Sequence, residues 1–148
     1  YKMTKTMVIT GDLRSDDDIF VDGQLLGSIK TSRTLHATDF IVGDINAQNA
    51  FFSNARIKEN VTLTDDLIAG DNSAIIGDVK CKNARISGKI KGNCDIEGSA
   101  QLATSALLSG DLTASDIAAE QGARIIGTVS TGAKDINIDA EFDFGDEL

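Results

Sequence analysis

Residues 73–79 read SAIIGDV, and variants of that phrase recur along the chain as VITGDL at 8–13, LLGSI at 25–29, IVGDI at 41–45, LLSGDL at 107–112 and IIGTV at 125–129. Two aliphatics, a glycine, a small polar residue and another aliphatic make a strand, a sharp bend and a second strand. The repeated glycines stand at 11, 27, 43, 77, 92, 110 and 127, and IKENV at 57–61 occupies the one missing step between 43 and 77. Eight copies at a period of 15–18 residues thus cover nearly the whole chain. Helical solenoids need more than about 30 residues per repeat, so this period excludes them. It suits three short strands and three corners, which make one coil of a β-solenoid.

The remainder of each repeat supports the same reading. A second apolar group follows each phrase: Ile19 and Val21, Leu35, Phe51, Leu67 and Ile68, Ala84 and Ile86, Leu102, Ile117, then Ile136 and Ile138. Turn formers such as RSDDD at 14–18, TSR at 31–33, DNS at 71–73 and KGN at 91–93 separate the groups. The sequence has no Pro and no Trp, one Tyr and six Phe, so its core is built from Ile, Leu, Val and Ala. The expected fold class is all-β, a solenoid of about eight coils.

In such a coil, equivalent residues of successive turns stack about 4.8 Å apart. The residue after each bend reads Asp12, Ser28, Asp44, Asn60, Asp78, Asn93, Asp111 and Thr128, so acidic and neutral side chains alternate. Alternation places neighbouring carboxylates roughly 10 Å apart, about one Debye length at 0.1 M salt. This is the pattern expected of a stacked column.

Left-handed hexapeptide coils, which need aliphatics every six residues, fit poorly: Leu13, Ile19 and Leu25 keep that beat but Thr31 breaks it. The stretch from GDVKCKN to IIGTV, residues 77–129, instead resembles the bactofilin domain, as does ITGDLRSDDDIFVDGQLLGSIK at 9–30, with VDG at 21–23. The resemblance covers about residues 7–130. It implies a right-handed, triangular parallel β-helix that polymerises end to end into non-polar filaments without a nucleotide. It further implies a bacterial cytoplasmic protein, in some members held at the inner face of the membrane, that scaffolds cell-wall hydrolases or synthases. GARIIG at 122–127 places Ile125 where the family pattern has a Phe implicated in subunit contact, and YKMTKT at 1–6 does not match a membrane-targeting segment. Boundaries follow: residues 1–6 as an N-terminal tail, 7–140 as the bactofilin-like domain and 141–148 as an acidic C-terminal tail.

An open solenoid end is a template for further strand pairing unless Pro, inward charges or a helix covers it. Met7, Val8 and Ile9 open the first coil with nothing evident to cover them. At the other end, Ile125 lies in the last phrase, and DINIDAEFDF at 135–144 alternates Ile136, Ile138, Ala140, Phe142 and Phe144 with polar or acidic residues, the period of a half-buried strand. The expected polymerisation interface is therefore Met7, Val8, Ile9, Ile125, Ile136, Ile138, Phe142 and Phe144.

Other chemistry is sparse. The net charge of −9 argues against a broad nucleic-acid footprint. Cys81 and Cys94 have no CxxC partner or His cluster and read as reduced structural residues. SDDD at 15–18 lacks the acceptor spacing of a Ca²⁺ loop and reads as a solvated corner, and His36, the single histidine, has no nucleophile paired with it. No phosphate loop of the form GxxxxGK with a following Ser or Thr occurs. No cofactor, metal or catalytic residue is expected. Lys80, Lys82, Arg85, Lys89 and Lys91, close in sequence, suggest a docking patch for an acidic partner. The alternative function is a β-helical carbohydrate-binding or carbohydrate-modifying protein, which would need a lateral cleft of convergent polar groups.

Overall fold

The structure, a computed structural model, describes residues 6–131 and the backbone of residues 2–3. All regular elements among them are short strands, gathered into three parallel sheets of eight strands each. We number these faces in chain order. Face 1 runs from Lys2–Met3 and Ile19–Val21 to Asp116–Ala119, face 2 from Val8–Thr10 to Arg124–Ile126, and face 3 from Leu13–Ser15 to Val129–Ser130. Each strand pairs with the equivalent strand of the coils before and after it, as in Ile41↔Ile57↔Ile75↔Ile90 on face 2. The chain is a β-solenoid of about eight coils. Lys2–Met3, in the stretch read from sequence as a tail, pairs with Phe20 and Val21 and so extends face 1 by one strand.

The phrase IIGDV lies where the counting places it. Ala74–Ile76 belongs to face 2, Gly77 and Asp78 make the corner, and Val79–Cys81 starts face 3. All seven repeated glycines have positive φ, between 129° and 155°. Stacking adds a second constraint, because a Cβ on Gly27, Gly43, Gly77, Gly92, Gly110 or Gly127 would lie only 2.0–2.1 Å from the carbonyl oxygen of the corner residue one coil earlier. The eighth position of this column is Glu59, whose φ of 118° is one that L side chains rarely adopt. Glu59→Gly should therefore stabilise the protein. Relief of about 1–3 kcal/mol of backbone strain exceeds the 0.4–1 kcal/mol or so of added unfolded-state freedom. A thermal melt that rises by a few degrees is the expected result, and one that falls would mean that Glu59 is not strained.

Each three-residue strand turns alternate side chains inward, as its backbone pleat requires. Face 1 contributes two core positions per coil, and from the third coil they complement each other in size: Leu35 with Ala37, Ala50 with Phe52, Leu67 with Ala69, Ala84 with Ile86, Ala100 with Leu102. The prism cross-section admits one large side chain beside one small one at close-packed density. Phe51 and Ile68, counted from sequence with the second apolar group, face outward and are exposed, while Phe52 fills the core beneath. Cys81 and Cys94 are buried and unpaired on face 3, and desolvation pushes both thiols up to about 12, so they remain protonated packing residues.

Candidate functional site

The corner column of aspartates and asparagines is a hydrogen-bond ladder. The backbone N–H of Ser28 donates to Asp12 Oδ1 at 2.9 Å, Asn60 to Asp44 at 3.1 Å, Asp78 to Asn60 at 3.0 Å, Asn93 to Asp78 at 3.0 Å, Asp111 to Asn93 at 3.0 Å and Thr128 to Asp111 at 3.2 Å. Asp and Asn serve equally because each offers Oδ1 to the coil above. Alternating them keeps the ladder without stacking like charges. The N–H from Ser28, with its hydroxyl, holds the Asp12 carboxyl below its ordinary value.

A second ladder, not anticipated from sequence, edges face 1. There Asp18, Asn49 and Asn83 accept from the N–H groups of Thr34, Asp66 and Ser99 at 3.2, 3.0 and 3.0 Å. The SDDD corner is thereby explained: Asp18 is a rung, and Ser15 Oγ accepts from the Asp17 N–H at 3.0 Å. The same step of 15–17 residues would have revealed the column had it been followed from Asp18 as it was from Asp12.

Among the described residues, both ends of the prism are open. The inward column of face 2 illustrates this: Leu25, Ile41 and Leu108 are sealed, whereas Ile9 and Ile125, at the two ends of the same column, are only half-buried. On face 3 the inward column closes over Leu112 at 0% exposure, but Val129, paired above it, is 45% exposed. Leu13 and Ile117 are likewise half-covered at the two ends. Of the residues expected at an interface, Ile9 and Ile125 line the open slices. Val8, on the same first strand, points outward, and Met7 precedes that strand and is exposed. Ile136, Ile138, Phe142 and Phe144 lie outside the described residues. Val129, Leu13 and Ile117 were not assigned to an interface from sequence, although each belongs to a column whose period was already visible.

The five basic residues expected to form one patch are distributed around the prism. Lys80 projects from face 3, Lys82 sits at the following corner, Arg85 projects from face 1, and Lys89 and Lys91 project from face 2. Proximity in a chain that circles its axis every 15–18 residues does not produce proximity on one face. The structure brings Lys89 and Lys91 together on one strand and sets Lys80 and Lys82 along one groove with Asp95 and Glu97, but it does not gather the five into one patch.

Face 1 carries a different feature, an outward aromatic stack. Phe20 and His36 lie parallel with ring centroids 4.5 Å apart, and His36 meets Phe51 edge-on at 5.0 Å. His36 is thus a packing residue of an exposed stripe. Farther along the same face, Arg85 donates to Gln101 Oε1 at 3.1 Å beside a shallow groove of about 350 Å³ lined by Asp66, Ile68 and Ser99. Among the described residues no cluster of His, Cys, Asp or Glu has metal-binding geometry, and no helix is long and apolar enough to cross a membrane.

A family model described as "Bactofilin: Polymer-forming cytoskeletal" matches residues 34–130, well over half of the 148. Bactofilin BacO of Myxococcus xanthus is 26% identical over 96 residues, covering 62% of this chain and 75% of that protein. No solved structure matches the chain significantly. The matched span starts at Thr34, although the coils continue without interruption below it to Val8–Thr10 and Leu13–Ser15, so the 9–30 phrase lies outside that span but inside the fold. From the repeated corners, the open-ended prism and this match, the chain belongs to the bactofilin family of polymer-forming cytoskeletal proteins, a structural family rather than an enzyme family.

Proposed function

We propose that this chain self-assembles end to end, through its open coil ends, into nucleotide-independent, non-polar filaments that scaffold cell-shape or cell-wall machinery at the cytoplasmic face of the membrane. The observation that carries the reading is the loss of cover at both ends of otherwise sealed core columns: Leu112 at 0% exposure under Val129 at 45%, and Ile9 and Ile125 half-buried where their column neighbours are closed. Each end also leaves one edge of all three sheets without a strand partner among the described residues. Unpaired parallel edges over exposed aliphatics favour association with a like surface, since it removes apolar area from water and pairs the free backbone groups. The contact centres on Ile9 and Ile125, with Leu13, Ile117 and Val129 beside them and Met7 and Val8 at the rim of the first coil. Cell-wall hydrolases or synthases are the partners such a scaffold would hold.

Electron microscopy and pelleting of the purified protein without nucleotide test the proposal. Wild type should form filaments, and Ile9→Asp and Ile125→Asp, each placing a charge on an open slice, should leave monomers whose β-sheet circular dichroism is retained. Monomeric wild type across salt and protein concentration would overturn the reading. Filaments that persist in both variants would remove these residues from the contact.

A further inference from the structure

Face 2 has a charge pattern unlike the chain as a whole. Its outward positions include Arg56, Lys58, Lys89, Lys91 and Arg124, and no outward position on its eight strands holds Asp or Glu, in a protein of net charge −9. The acidic residues of the adjoining coils sit instead at the corners that flank the face, Asp44, Asp78 and Asp111 on one side and Asp39, Asp71 and Glu120 on the other. Among the described residues, none of the five basic side chains forms an ion pair or a side-chain hydrogen bond. Apolar side chains alternate with the basic ones. Arg56 and Lys58 are followed one coil later by Ala74 and Ile76, then by Lys89 and Lys91, then by Leu107 and Ser109, then by Arg124 and Ile126. Ile76 at 54% and Ile126 at 55% are among the most exposed large aliphatics. The face is thus banded, basic and apolar, with a repeat of about 10 Å set by two inter-strand steps.

The sequence contains the complementary pattern. Residues 135–148, DINIDAEFDFGDEL, hold six carboxylates and no basic residue, with Ile136, Ile138, Phe142 and Phe144 alternating between polar or acidic ones. An extended strand of that pattern has one apolar edge and one anionic edge. Its apolar edge matches the Ile76 and Leu107 bands. The long stems of Lys89, Lys91, Lys58 and Arg56 can lie along it while their charged ends reach the carboxylates. Reach is sufficient: four coil steps from Arg124 to Arg56 span about 19 Å at the inter-strand spacing, while fourteen extended residues span up to about 46 Å. The last described residue, Thr131, follows the final strand of face 3, at the same end of the prism as Arg124.

We propose that face 2 is the docking surface for this chain's own acidic–apolar segment, residues 135–148. The proposal is independent of the end-to-end reading and assigns Ile136, Ile138, Phe142 and Phe144 to a lateral face instead of a coil end.

Site-specific photocrosslinking in the full chain tests it, with p-benzoylphenylalanine in place of Phe142 and the crosslinked residues read by mass spectrometry. Crosslinks should fall on Arg56–Lys58, Ala74–Ile76 and Lys89–Lys91. Their yield should drop about tenfold in the Lys89→Glu, Lys91→Glu double variant, and also in about 1 M salt, where the Debye length is near 3 Å. The milder Lys89→Gln, Lys91→Gln pair should show an intermediate loss with an unchanged melt. Crosslinks confined to faces 1 and 3 or to the coil ends, or a yield indifferent to both double variants, would overturn the assignment. So would an absence of crosslinks together with cosedimentation on phosphatidylglycerol vesicles that the Lys89→Glu, Lys91→Glu variant abolishes, because the occupant would then be a lipid surface.

Discussion

Gly77→Ala should lower stability by about 3–5 kcal/mol, a large share of the 5–15 kcal/mol or so that holds an ordinary domain together. Two independent penalties meet at this corner. Gly77 has φ of 150°, which an alanine adopts only under strain, and an added Cβ would lie 2.1 Å from the Glu59 carbonyl oxygen. That oxygen cannot retreat freely, because this corner is tied to the one before it by the ladder, with the Asp78 N–H donating to Asn60 Oδ1 at 3.0 Å. Gly11 separates the two penalties. It shares the positive φ, 129°, but lies at the first coil, where an added Cβ meets nothing within 4 Å. Gly11→Ala should therefore cost only the strain, about 1–3 kcal/mol. Urea midpoints for both variants decide the matter, and equal losses would show that dihedral strain alone governs the column. Because a solenoid is stabilised coil by coil, hydrogen exchange in Gly77→Ala should rise most in the coils on either side of residue 77.

The size complementarity inside face 1 supplies the second large effect. Phe52 is among the largest fully buried side chains, and Ala50, at 0% exposure, is its small neighbour on the same strand. Phe52→Ala should cost about 3–5 kcal/mol through lost burial and the cavity left behind. Ala50→Leu should cost about 1–3 kcal/mol or more by overpacking the same slice. Combined, the two substitutions recreate the large–small order already present as Leu35 with Ala37 and Leu67 with Ala69. The double variant should then recover at least about 1 kcal/mol relative to the sum of the single losses. Denaturant titration of all three variants measures that coupling, and simple additivity would mean that the coil adjusts its width locally to its contents.

Much of this architecture is legible in the chain because stacking converts a period into a spatial column. Residues 16 apart, such as Asp12 and Ser28 or Leu25 and Ile41, meet directly, so counting from one glycine to the next locates corners, ladder and core at once. Even Glu59, which breaks the glycine pattern, holds its place in the count and keeps the positive φ of the column. Where counting begins from one column only, a parallel column passes unnoticed, as the Asp18–Asn49–Asn83 ladder did.

Other properties depend on angle around the axis, which a linear period does not specify. Adjacent Phe51 and Phe52 are equally apolar, yet the pleat sends one to solvent and the other into the core. Lys80, Arg85 and Lys89, near neighbours in sequence, leave on three faces because two corners intervene. Arg56, Lys58, Lys89, Lys91 and Arg124, far apart in sequence, share one face for the converse reason. The coil and its repeat are legible in the chain alone, because they follow from which residues stack. Which side chains face outward together depends on where each corner turns the backbone, and that is settled in three dimensions alone.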